Sequence, residues 1–449
     1  MSLLSVRLEH VQHVASLRLD LDLTSHGLMC LVGRNGAGKT TLVRALRNLA
    51  NADTFIKTAT PYAFSTHSRI SYGLDGVEIA FTYDNRIRSI NCRDSIPLDL
   101  RALIAAELPM PHGTRFNYFK SASEADLDIR KSIALGDYQH PAELVAFLNS
   151  VYDCSRYSAL AEVIVKGKSY YALVREDGTY IREDYLSSGE YFLINLYRTI
   201  KGPAKLLVID EIDLSLDAAA QANLPSWLRG FCDIYGCKLL FTTHSLALMR
   251  QLDVDELFYM DAVDGEVSVR PTSYSFAMAK LFGFEGRDRY ILTEDKMLVA
   301  FIQHLVGRYC PDTLLQYKTI FIGGATQVAA LMKGNETEHF LAPPDRVIAI
   351  LDADQRNVDY VAHPRIHTIP LESVEEAILT ASREDPDFPF RAPRADFTKG
   401  KDFNHYLKQK GIATQEQIFD YLIDKNEVAF NGIAGILGEF LPAPHAGPI

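Results

Sequence analysis

No apolar run of membrane-spanning length occurs in the 449-residue sequence, and no apolar segment behind basic residues marks a secretory leader. These absences argue against a helical membrane protein and lead to the expectation of a cytoplasmic chain with no membrane partner. Internal repeats, low-complexity tracts and heptad runs are missing too, which excludes solenoids and long coiled coils. The six cysteines, Cys30, Cys92, Cys154, Cys232, Cys237 and Cys310, lack the paired spacing of a zinc site, and their mostly apolar settings predict buried thiols. Positive charge is also in short supply. A formal net charge of −11 excludes a surface that is basic everywhere, but leaves room for a local basic groove.

With 47% hydrophobic and 23% charged residues the composition is that of a globular protein, and the length exceeds what one core usually organises, so two domains are expected. The opening residues alternate as two antiparallel strands, followed by an apolar strand over 28–32 and a helix over about 40–49. Short alternating segments over about 54–100 predict a β-rich lobe, helical periodicity fills about 100–160, and VIVKGKSYYALVREDGTYI reads as a hairpin. KLLVIDE and KLLFTTHS are apolar runs ending in polar groups, as strands of a mostly parallel sheet are. The polar segment after Arg270 reads as a connector. A second strand-helix rhythm begins at Tyr290, with RYILTED, KTIFIGG and RVIAILDAD as its strands. The domains are therefore placed over 1–285 and 286–449, both α/β.

Gly33-Arg34-Asn35-Gly36-Ala37-Gly38-Lys39-Thr40 fits G-x-x-x-x-G-K-[ST], with a strand before it and a helix after it. Glycines let successive backbone N–H groups curl around a β-phosphate, Lys39 reaches the β- and γ-phosphates, and the Thr40 hydroxyl can ligate Mg²⁺. Arg34, Asn35, Gly36, Gly38, Lys39, Thr40 and Thr41 are thus the candidate ATP-binding residues. Asp210, at the end of KLLVID, is suited to hold Mg²⁺ through water, and Glu211 to polarise an attacking water.

Leu186-Ser187-Ser188-Gly189-Glu190 resembles the LSGGQ signature of ABC ATPases, and Thr243-His244-Ser245 resembles their switch-histidine segment. The order of the four motifs is that of the superfamily. The resemblance implies that Ser187 and Gly189 bind the γ-phosphate of ATP held by another subunit, hence a homodimer or higher homo-oligomer, and that His244 contacts the γ-phosphate. Residues 211–217 resemble the D-loop without its usual proline. The interval from Lys39 to Ser187 is long for a transporter, no coiled coil of the SMC kind interrupts it, and Gln139, the only glutamine in it, is not at a convincing strand end.

In the second half, Glu294, Gly323-Gly324 and Asp352-Ala353-Asp354 each follow an apolar strand. Strand ends of a parallel sheet lie side by side, so Glu294, Asp352 and Asp354 can converge as ligands of Mg²⁺ or Mn²⁺. This order resembles the Toprim domain of topoisomerases, bacterial-type primases and OLD-family nucleases, with Asp295 in place of the usual glycine after Glu294. Ile369-Pro370-Leu371-Glu372-Ser373-Val374-Glu375-Glu376 resembles the acidic motif that follows in Toprim-like nucleases, with Glu375 as the chosen ligand and Glu372 and Glu376 as rivals. Arg391, Arg394, Lys399, Lys401, Lys408 and Lys410 outnumber Asp396 and Asp402 downstream. OLD-type nucleases use a lysine in this region, which makes Lys401 or Lys399 the candidate for the scissile phosphate.

An ABC ATPase followed by Toprim in one chain resembles the OLD (overcoming lysogenisation defect) family, which includes effectors of bacterial antiphage systems. The resemblance implies a metal-dependent nuclease cutting DNA, with RNA as the alternative, gated by ATP. It also implies the option of a defence-system partner: a noncoding RNA or msDNA, a reverse transcriptase or a second protein. An ATPase sensor or scaffold whose second domain binds without cutting is the rival reading.

Overall fold

Alternating burial organises the opening strands. In β1 (Leu3–Val11) the side chains of Leu4, Val6, Leu8 and Val11 are buried, and in β2 (Val14–Asp22) Val14, Leu17, Leu19 and Leu21 are. The two pair antiparallel and show one face to the core. β3 (Gly27–Val32) differs, because every residue after Gly27 is buried, as in a central parallel strand covered on both sides. β4 (Arg69–Leu74), β5 (Val77–Asp84) and β6 (Ser89–Asn91) extend the antiparallel side. β7 (Ile104–Glu107) closes the other edge.

A small antiparallel sheet of β8 (Leu160–Val165), β9 (Lys168–Val174) and β10 (Tyr180–Arg182) packs on the helices Arg115–Glu124 and Asp126–Leu135. β11 (Leu206–Ile209), β12 (Lys238–Thr242), β13 (Leu257–Val263) and β14 (Glu266–Pro271) return to the large sheet. Its order is β6-β5-β4-β1-β2-β14-β13-β3-β12-β11-β7, with β13, β3, β12, β11 and β7 mutually parallel.

The computed structural model describes residues 3–108, 115–253, 255–283, 286–356, 358–391 and 397–443. The chain divides into two compact units, Met1–Ala277 and Met278–His445. The boundary expected at 285 falls at residues outside the described set, and the division comes within the helix Tyr274–Phe282. That helix occupies the stretch expected to be a connector. Phe276 anchors it edge-on against Tyr259, with ring centroids 5.5 Å apart. The expected helical region over 100–160 opens on the end of the helix Leu98–Ala102 but is then interrupted by the strand β7. Ile104-Ala105-Ala106-Glu107 has helix-favouring composition, but parallel pairing with Leu206–Ile209 overrides it.

In the second unit β15 (Arg289–Thr293), β16 (Tyr317–Phe321), β17 (Val347–Leu351) and β18 (Ile366–Thr368) form an all-parallel sheet in the order β16-β15-β17-β18. One face packs on the helix Ala325–Glu338. The other carries Lys296–Tyr309, Val374–Glu384, Gly400–Gln409, Gln415–Lys425 and Glu427–Phe440, a three-layer α/β/α arrangement.

Two of these helices meet at Gly400. A β-carbon there would stand 2.2 Å from the Glu375 carbonyl oxygen and 2.6 Å from the Glu376 nitrogen, and both are backbone atoms. Gly400→Ala should therefore cost about 2–3 kcal/mol and lower the melting temperature by roughly 5–10 °C. Thermal unfolding followed by circular dichroism reads this directly, and an unchanged midpoint would refute the close packing.

Candidate nucleotide and carboxylate sites

The loop between β3 and the helix Lys39–Ala50 owes its shape to backbone freedom. Gly36 and Gly38 have φ of +81° and +102°, and Gly38 is the helix N-cap in left-handed geometry with no capping side chain. Arg34, Asn35 and Gly36 are exposed, and Thr40 is half-buried. Lys39 is buried and folds its Nζ back onto the carbonyl oxygens of Gly33 and Arg34 at 2.7 and 3.3 Å. Burial lowers its proton affinity while Asp210 and Glu211 pull it back up, so those two acids face the lysine. Thr41 donates to Gln12 Oε1 at 2.7 Å, which ties the loop helix to the β1-β2 turn. Gln12 had no signal in the sequence.

Asp210 and Glu211 follow β11, and Thr242 ends β12 beside it. The Thr242 hydroxyl donates to Asp210 Oδ1 at 2.6 Å and accepts from the Glu211 backbone N–H at 2.8 Å. Asp210 Oδ2 is enclosed with no hydrogen-bond partner among the described residues, the arrangement a carboxylate oxygen has when its remaining partner is a cation or a water on one. Glu211 takes a left-handed backbone at φ +55°, an uncommon conformation for a glutamate that re-aims its side chain. Burial, then Asp210 and Asp213, push its carboxyl above the usual range, with Lys39 opposing. His244 is half-buried just past β12. Burial, then Lys39, hold its ring below its usual proton affinity against Asp213 and Asp210, which keeps it neutral near pH 7. Lys39, Asp210, Glu211 and His244 thus converge, with Thr243 donating to Asp213 Oδ1 at 2.6 Å to fix the D-loop.

The signature sits on the helix Ser188–Ile200, capped by Ser187. Its last residue, Glu190, is the pivot of the motif. Oε2 accepts from the Ser187 N–H at 2.7 Å, while Oε1 accepts from the Tyr157 hydroxyl at 2.6 Å and pairs with Arg156 at 2.9 Å. Burial alone would raise Glu190; those partners outweigh it and hold the carboxyl below its usual range. Ser187 and Ser188 remain exposed at the helix N-terminus. Gly189 packs against the D-loop so closely that a β-carbon would lie 2.5 Å from the Ser215 carbonyl oxygen. Gln139 is not brought to this site; it is exposed and bridges Glu162 beside the small sheet.

In the second unit Glu294 follows β15 and Asp352 follows β17, neighbours in the sheet. The Asp352 N–H donates to Glu294 Oε1 at 3.0 Å, and Asp352 Oδ1 is enclosed with no partner among the described residues. Burial, then Glu294, Asp295, Asp354 and Glu375, push the Asp352 carboxyl up to about 8. Glu294 is raised as well, by burial first and by Asp354 and Asp295, with the Asp352 N–H opposing. Of the three sequence candidates, Glu294 and Asp352 therefore meet, while Asp354 acts on both through its charge. Asp354 is the exposed member, in the turn Ala353–Gln355. Asp295 is a further acid at the cluster, and it caps the next helix by accepting from the Leu298 N–H at 2.8 Å.

The acidic helix start resolves into roles. Glu376 accepts from the Gly400 N–H at 2.9 Å and so caps the neighbouring helix, and Glu372 is exposed. Glu375 faces the cluster: burial and Asp295 raise it, Lys401 and Lys408 lower it. Those lysines are seven apart on the helix Gly400–Gln409 and share a face; Lys399 is its N-cap. Arg394 and Asp396 lie outside the described residues.

Among the described residues no group of three or more His, Cys, Asp or Glu side chains is placed so that it could hold a metal ion together. The all-oxygen donor set and the unpartnered Asp352 Oδ1 fit a hard divalent cation.

Residues 28–82 and 82–250 match the family described as "AAA domain, putative AbiEii toxin, Type IV TA system". The sulfate/thiosulfate import ATP-binding protein CysA of Xylella fastidiosa (strain 9a5c) is 24% identical over 286 residues, covering 60% of this chain and 66% of that protein. The chain thus spans just under two thirds of that relative. The nickel import ATP-binding protein NikE of Shigella flexneri serotype 5b is 25% identical over 241 residues, covering 54% of this chain and 73% of that protein. A solved SMC head domain from Thermotoga maritima overlaps 61% of this chain and 100% of its own at 16% identity, with a TM-score of 0.35. Over residues 28–250 the first unit is therefore similar to P-loop ATPase domains, in agreement with the phosphate loop at its start. No helix among the described residues is long and apolar enough to cross a membrane.

Thr242→Val keeps the shape of the side chain and removes both hydrogen bonds that hold Asp210 and Glu211. ATP turnover should fall roughly 10- to 100-fold with little change in ATP affinity. Turnover equal to the unaltered protein in a phosphate-release assay would show that the hydroxyl has no such part.

Proposed function

We propose that the chain is an OLD-type ATPase and nuclease, in which ATP binding and hydrolysis by an ABC-type dimer govern a Toprim-like site that cuts DNA, with RNA as the alternative substrate, in bacterial antiphage defence. The observation that carries the nuclease half is Asp352. It is a carboxylate with one oxygen enclosed and without a partner among the described residues, set at the strand end beside Glu294.

At the ATP site, Lys39 leaves the Gly33 and Arg34 carbonyls for the β- and γ-phosphates. Thr40 and Asp210 hold Mg²⁺, and Arg34, Asn35, Gly36, Gly38 and Thr41 frame the triphosphate. Glu211 orients the attacking water, and the neutral His244 donates to the γ-phosphate. Ser187 and Gly189, exposed or backbone-bearing at a clamped helix N-terminus, serve the ATP of a second copy, which makes the working unit a homodimer or higher homo-oligomer.

In the second unit Glu294, Asp352 and Asp354 hold the divalent cations, Mg²⁺ or Mn²⁺, with Glu375 as an additional ligand. Bound there, they supply Lewis acidity and an activated water. Lys401 neutralises the scissile phosphate, and Lys408 on the same helix face supports it. A defence partner, whether an RNA or msDNA, a reverse transcriptase or a second protein, would set the trigger.

Purified protein incubated with plasmid and Mn²⁺ should nick it, and Asp352→Asn should reduce nicking by at least roughly 100-fold while ATP turnover persists. Nicking that survives Asp352→Asn would overturn the nuclease reading. No nicking by the unaltered protein, with ATP turnover intact, would favour a binding scaffold.

A further inference from the structure

β16 is the edge strand of the second unit's sheet, and its last residue, Phe321, is 47% exposed. Alternation along β16 assigns the faces: Tyr317 packs into the core beneath the helix Lys296–Tyr309, and Ile320 into the core of the opposite face. Phe321 shares the Tyr317 face but lies past the end of that cover. Lys296, in the first turn of the covering helix, holds its ammonium 5.3 Å from the ring centroid. Single exposed apolar side chains are ordinary, so the position of this one decides the argument. Phe321 pairs in register with Thr293, the residue before Glu294, which places the ring at the carboxyl rim of the sheet, next to the acid cluster. Beyond it Gly323 and Gly324 add no side chain, and the Gly323 N–H donates to the Glu294 carbonyl oxygen at 3.0 Å. A flat apolar ring and a cation are therefore presented together beside a cluster of carboxylates.

We propose that Phe321 and Lys296 form a clamp for one unpaired nucleotide beside the cleaved bond: the ring stacks on the base and the ammonium meets its phosphate. The substrate is then single-stranded or frayed nucleic acid, because the faces of bases within a closed duplex are already stacked. The inference rests on the reading of this unit as a nucleic-acid-cutting site.

Two readouts on the full chain separate the two ideas. Binding of a single-stranded oligonucleotide carrying 2-aminopurine is followed by fluorescence, and cleavage of the same oligonucleotide with Mn²⁺ by gel. The unaltered protein should quench the probe and bind the single strand at least roughly 10-fold more tightly than its blunt duplex. Phe321→Ala should abolish the quench and weaken single-strand binding roughly 5- to 100-fold, Phe321→Trp should restore both, and Lys296→Ala should weaken binding and flatten its salt dependence. A half-exposed edge residue tolerates these changes, which unaltered thermal unfolding would verify. Absence of quenching by the unaltered protein, or equal quenching by Phe321→Ala, overturns the clamp whether or not the oligonucleotide is cut. Quenching lost in Phe321→Ala without cleavage by any form upholds the clamp and overturns only the nuclease reading.

Discussion

Parallel pairing between strands that are apolar on both faces leaves no place for polar groups except the strand ends, and both units are arranged around that constraint. β3, β11 and β12 are buried along almost their whole length, so the phosphate loop, Asp210-Glu211 and Thr243-His244 emerge together at one edge. β15 and β17 do the same for Glu294 and Asp352. Each site is a place where buried chains run out of apolar surface and must turn.

Charge then decides what each edge can hold. At the first, Lys39 stands among Asp210, Glu211 and His244, and the mixture of signs is moderated by the Thr242 hydroxyl, which binds both acidic positions at once. At the second, acids face acids. Asp295 adds a charge while capping a helix, Glu376 is spent on the Gly400 N–H, and Glu375 is the one left to face the cluster with Lys401 and Lys408. Such crowding raises proton affinity until protons or cations relieve it. On the proposed reading a divalent cation does so, and the same relief draws the ligands together.

The motifs were legible because each is local: the phosphate loop, the signature and the acids after apolar strands all fit within a few consecutive residues. What escaped depends on register. Thr242 meets Asp210 and Glu211 only because β12 pairs with β11 in one alignment, and Ile104–Glu107 is a strand only because β11 lies beside it. The clamp of Glu190 by Tyr157 and Arg156 joins segments more than thirty residues apart in sequence. Asp295 looked like a departure from the Toprim pattern, yet an aspartate just before a helix is a local capping signal that the sequence did display. The choice among Glu372, Glu375 and Glu376 needed the neighbouring helix, since all three sit at one helix start and only packing tells them apart.

The central claim is that the carboxylates behind β15 and β17 form a cation site. Anomalous diffraction from crystals of the full chain soaked in Mn²⁺ tests it most directly. A Mn²⁺ peak coordinated by Asp352 Oδ1 and Glu294, and lost in Asp352→Asn, is the expected result. Mn²⁺ at the ATP site alone, with the second cluster empty at saturating metal, would contradict it.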